Sequence, residues 1–144
     1  MFKPREIKKR YSKFDIYVLW TSRNPLDVYS SHWAMVNGLS TTEHPLTPDD
    51  SIIDDWITRN QSALNASNNN IFPILFLNYD EISAGYDPRD IIFEFCGLRP
   101  ELLHNLVKSI HSPHIPKNVV SNIIERTSYT YESMKMKFNS VQKS

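Results

Sequence analysis

Glycine is scarce in this chain: only Gly38, Gly85 and Gly97 among 144 residues. A glycine-rich nucleotide loop needs backbone that can approach phosphates closely, and none of the three sits in such a loop. Cysteine is scarcer still. The lone Cys96 cannot form an internal disulfide and lies in an apolar run, so a core position and a reducing compartment are expected. Net charge is absent, with Lys+Arg and Asp+Glu both at 16. Anion binding must therefore be local, and broad attraction to nucleic acid is not expected. No apolar stretch reaches membrane-spanning length. The opening MFKPREIKKR is basic but lacks the apolar core of a signal peptide. Asn60-Gln-Ser62 and Asn65-Ala-Ser67 have the form of glycosylation sequons, which carry no weight without such a signal. The expected location is cytoplasmic.

What is present reads as alternating helices and strands. Pro4 to Lys13 is a short charged helix. Ile16 to Trp20 is a β-branched and aromatic run, expected as a buried strand. Asn24 suits an N-cap, Pro25 the first helical position and Asp27 the N3 position, so a helix starts there and runs to about Val36. Thr47-Pro48 is expected to cap a second helix, in which Ile53, Trp56, Ile57, Asn60 and Leu64 share a face with one polar interruption. IFPILFLN, from Ile71 to Asn78, is a strand covered on both faces that begins in earnest after Pro73. Asp87-Pro88 opens a helix from Arg89 to Cys96 that Gly97 closes, with Phe93 and Phe95 expected in the core. Leu102, Leu103, Leu106 and Ile110 mark another helix, and Lys117 to Ser144 a helical tail. Two apolar strands joined through helices predict an α/β fold with a parallel sheet flanked by helices. The length fits one domain.

The strand-to-helix junction holds the chemistry. Arg23 stands where backbone N–H groups and the positive end of the helix dipole should meet, a geometry suited to an anion. Ser31 falls two turns along the same helix face. A phosphate could lie between the Arg23 fork and the Ser31 hydroxyl. Alternatively Arg23 pairs with Asp27, and Ser31 is an ordinary helix serine.

R-N-P-x-D-x-x-x-S after an apolar strand resembles the 3′-phosphate-binding segment of PAPS-dependent sulfotransferases, which use 3′-phosphoadenosine 5′-phosphosulfate. The resemblance implies that Arg23 and Ser31 grip the 3′-phosphate. Thr21 and Ser22 stand where that family's strand is usually apolar. Tyr79-Asp80-Glu81 is similar to the Tyr-Glu-Asp segment whose tyrosine lies near the adenine, which assigns Tyr79 to the base. Arg89 to Gly97 resembles the helix and Phe-Leu-Gly stop that follow. His111-Ser112 looks like a Thr-Ser segment with nucleotide contacts, which adds Ser112. The likeness in segment order covers about Ile16 to Ser112. It implies a partial sulfotransferase-like domain over residues 1–116, of incomplete P-loop-like fold, and a C-terminal tail over 117–144.

Other parts of that family's pattern are missing. There is no K-x-G-T-T-W-like loop for the 5′-phosphosulfate, no histidine about twenty residues before Arg23, and no R-K-G…G-D-W segment. The expected activity is sulfuryl transfer from PAPS to a hydroxyl or amine, with PAP as product, the chain alone being inactive and its catalytic base unassigned. The alternative is a non-catalytic nucleotide-binding or interaction protein derived from the same fold, with a homo-oligomer or partner covering an exposed sheet edge. The acceptor is unreadable, and a longer parent protein could equally be Golgi-luminal. His32, His44, His104, His111 and His114 form no metal pattern, and no metal is expected.

Overall fold

Asn24 and Pro25 act where the sequence puts them. The Asn24 side chain accepts the Leu26 N–H at 2.9 Å, and its carbonyl accepts the Val28 N–H at 3.1 Å. This closes the first turn of a helix whose leading residue has no N–H to satisfy. In the computed structural model, which describes residues 2–37, 50–101 and 115–142, the order is α1 (Pro4–Arg10), β1 (Val18–Ser22), α2 (Pro25–Asn37), α3 (Asp50–Asn68), β2 (Ile74–Asn78), α4 (Tyr79–Ser83), α5 (Arg89–Cys96) and α6 (Lys117–Gln142). The Thr47-Pro48 cap and the helix expected across Leu102 to Ile110 lie outside the described residues.

The two strands pair in parallel, Val18 opposite Ile74 through Ser22 opposite Asn78. Pro73 stands just before β2, and its carbonyl accepts the Val18 N–H at 3.0 Å. The general α/β expectation therefore holds, with a two-stranded parallel sheet among the described residues.

Helices cover the sheet on both sides. On one side α3 and α6 meet it through Ala63, Leu64, Phe76, Met134 and Phe138, with Trp20 and Ile74 packed alongside. On the other, Leu75, Leu77 and Ile92 are buried together, with Ile82, Phe95 and Cys96 against them. A third cluster, Tyr29, Ile52, Ile53, Val119 and Ile123, joins α2, α3 and α6 beyond the sheet. Thus α6 contributes to two of the three clusters.

Two expectations need correction. Strand β1 is two residues later than Ile16–Trp20 and is not buried, because Leu19 is 44% exposed and the adjoining Tyr17 49%. The α4–α5 layer packs on β2 and touches Tyr17 through Phe95, ring centres 5.5 Å apart, but leaves Leu19 of β1 largely open. On α5, Phe95 packs inward while Phe93 is 52% exposed. Residues two apart on a helix point in nearly opposite directions, so only one of the two rings can face the sheet. The polar interruption on α3 is also accounted for: buried Asn60 accepts from Trp20 Nε1 at 3.1 Å and donates to the Trp56 carbonyl at 2.9 Å.

Candidate functional site

Because Ser22 and Asn78 end their strands in register, the residues that follow them emerge side by side. This is the carboxyl edge of a parallel sheet, where α/β proteins place their ligands. Arg23 leaves β1 and Tyr79 leaves β2, and the guanidinium carbon sits 5.4 Å above the Tyr79 ring centre. That distance is within the range of a cation–π contact. So two of the residues singled out in the sequence, Arg23 and Tyr79, meet.

A third group joins them that the sequence reading passed over. Asp80 Oδ2 accepts the Asn24 N–H at 2.9 Å, and its Oδ1 lies 3.9 Å from Arg23 Nε. The second contact is an ion pair too long to be a hydrogen bond, and Nε is buried without a hydrogen-bond partner. Arg23 is thus paired with Asp80 and not, as the alternative had it, with Asp27. Its own carbonyl accepts Trp56 Nε1 at 3.3 Å, which ties the junction to α3. Two backbone donors expected to be free for an anion, on Asn24 and Leu26, are engaged within the protein.

The long helix α6 adds Tyr131. Its ring stands edge-on to Trp56 at 6.1 Å, and Lys135 Nζ lies 4.4 Å over its face. Burial, then the charges of Asp80 and Asp27, push the Tyr131 phenol above its ordinary value. The phenol therefore lies within electrostatic reach of both carboxylates. The stripe Val119, Ile123, Thr127, Thr130, Met134 and Phe138, every three or four residues, was the available sign that α6 packs inward. Nothing in that stripe shows where its neighbour Tyr131 would land.

Ser31 is exposed on α2 and makes no hydrogen bond with Arg23 or Tyr79. Ser112 lies outside the described residues, as do His44, His104, His111 and His114; His32 is half-buried on α2. Among the described residues no group of three His, Cys, Asp or Glu side chains could hold a metal ion. No helix among them is long and apolar enough to cross a membrane. No protein-family model matches the chain, and neither a curated protein nor a solved structure is significantly similar to it.

Chemically the site offers one guanidinium with the Tyr79 ring against it and a carboxylate that partly neutralises it, Tyr131 lying within electrostatic reach of that carboxylate. A guanidinium beside an aromatic ring suits an anionic ligand that carries a ring.

Proposed function

We propose that this chain is a sulfotransferase-type α/β domain whose carboxyl sheet edge receives the 3′-phosphate and adenine of PAPS or PAP. The observation that carries the reading is the Arg23 guanidinium stacked over Tyr79 at the level ends of two parallel strands. Because Nε is buried, a phosphate there would face the terminal guanidinium N–H groups, with the base against Tyr79. Ser31 would reach the phosphate from the next turns of α2. Sulfuryl transfer to a hydroxyl or amine acceptor also needs donors around the 5′-phosphosulfate, and none of the three glycines stands in a K-x-G-T-T-W-like sequence. The chain by itself is therefore expected to bind PAP and not to turn over.

The test is a calorimetric titration of PAP and adenosine 5′-phosphate into the wild-type chain and Arg23→Ala. A charge-assisted bond to the 3′-phosphate is worth about 1.5–3 kcal/mol, so PAP should bind about ten- to a hundredfold tighter than the monophosphate. Arg23→Ala should erase that difference and leave the weaker ligand unaffected. Equal affinity of the two ligands for the wild-type chain would defeat the proposal.

A second reading is favoured by the open face of β1, where Tyr17 and Leu19 are about half exposed. A non-catalytic protein of this fold would use that face for a partner or a second copy. Light scattering on the purified chain separates the two, because a monomer with the PAP preference above leaves the face without a partner.

A further inference from the structure

The zero net charge hides a strong polarity along the chain. Residues 1–15 carry six cations against two acids, and the other 129 carry ten against fourteen. All six cations, Lys3, Arg5, Lys8, Lys9, Arg10 and Lys13, are exposed. Only Lys3 has a carboxylate partner among the described residues, Glu6 at 3.8 Å. Aromatic rings alternate with these charges. Tyr11 is 45% exposed and Phe14 70%, and the two rings lie 6.4 Å apart, tilted by 60°. Arg10 sits 5.8 Å over Tyr11.

These rings border a cleft of about 270 Å³ whose walls include Lys8, Tyr11, Phe14, Asp15, Tyr17 and Pro73. The cleft lies at the amino end of the sheet, the opposite end from Arg23, since Tyr17 immediately precedes β1 and Pro73 immediately precedes β2.

We propose that this cleft and the basic segment beside it bind single-stranded nucleic acid, with bases stacked on Phe14 and Tyr11 and phosphates on Lys8 at the cleft wall and on its chain neighbours Lys9, Arg10 and Lys13. Exposed rings beside unpaired cations, along a groove, are what a flexible polyanion of flat bases needs. A double helix fits poorly, because its bases are already stacked and cannot reach the rings. An anionic membrane fits poorly too: Phe14 is the one strongly exposed apolar side chain of the patch, too little to insert. An acidic peptide would satisfy the lysines but leave the rings without flat partners. Asp15 on the wall disfavours phosphate at that point and directs the strand along the lysine side.

The probe is a fluorescently labelled oligouridylate titrated against the full chain by anisotropy, at two salt concentrations a factor of four apart. Four phosphate contacts give a logarithmic salt slope of about −2.8 for a single strand, hence a loss of roughly fiftyfold. Phe14→Ala removes no charge and, being at the surface, should leave the fold intact by circular dichroism; it should weaken binding about five- to a hundredfold. Lys9→Glu with Lys13→Glu should weaken binding and flatten the salt slope. Arg23→Ala should change nothing, which separates this site from the proposed nucleotide site. Undiminished binding by a folded Phe14→Ala chain would overturn the proposal. So would equal affinity for a duplex, or preferential binding to phosphatidylserine vesicles or polyglutamate.

Discussion

A phosphate arriving at Arg23, as proposed, would meet a carboxylate already in place, with Asp80 Oδ2 on the Asn24 amide and Oδ1 near Nε. Asp80→Asn keeps an acceptor for that amide while removing the charge. Two unit charges about 4 Å apart interact by about 1 kcal/mol even at the dielectric of water, so the variant should bind PAP about fivefold tighter or more. The same substitution should be visible at Tyr131. A phenol whose folded value is raised loses its stabilising contribution as pH climbs from the ordinary value of 10.0 through the folded one, and contributes fully below that. Asp80→Asn removes one cause of the shift. Ultraviolet titration should find Tyr131 ionising at lower pH in the variant, with a smaller alkaline loss of stability. An unmoved phenol together with unchanged PAP affinity would mean Asp80 does not act on this site. At this scale the sequence was informative where chemistry is local. Asn24 caps the helix that Pro25 starts, and Gly97 takes the left-handed conformation (φ 77°) that ends α5. It was silent on the Arg23–Asp80 pair, because any of several acids was an equally good partner until the register of two distant strands was known.

Among the elements, α6 carries the largest structural consequence. Met134 is fully buried against Leu64, Phe76 and Phe138, whereas Met136, two residues on, is 73% exposed. Truncating a buried methionine costs about 2–5 kcal/mol, while exposed positions usually change stability by less than about 0.5 kcal/mol. Met134→Ala should therefore lower the urea midpoint substantially and Met136→Ala should leave it in place. Similar effects from the two would mean that α6 does not pack by this face. Helix existence was readable in α3 from spacing, since a 3.6-residue period is written into the order of its side chains, and in α5 from the Asp87-Pro88 start and the Gly97 stop. Which neighbours each face meets was not. Phe93 and Phe95 were both expected inside, and the geometry of one short helix allowed only Phe95.

For the molecule as a whole, the question is whether residues 2–101 can stand without the final helix. Two of the three apolar clusters include side chains of α6, among them Val119, Ile123, Met134 and Phe138. A chain ending at Pro116 should lose helical signal from α3 as well as from the deleted segment, by circular dichroism. Retention of a cooperative thermal transition would show that α6 is dispensable. The parallel pairing itself was legible, because two apolar strands separated by helices leave few other arrangements. The open outer face of β1 was not, because an apolar run looks the same whether or not a neighbour covers it.

The pairing of Val18 with Ile74 also sets an order of events in time. The amide of Asn24 and the carboxylate of Asp80 are 56 positions apart in sequence, as are the paired residues of the strands. No part of the sheet can form by local zippering, and the entropy of closing so long a loop must be met before any ladder bond compensates it. During synthesis at about 5–20 residues per second, β1 would wait several seconds for its only described partner strand to appear. Through that interval its apolar edge is open on both sides, so the newly made chain is most prone to off-pathway association before Asn78 leaves the ribosome.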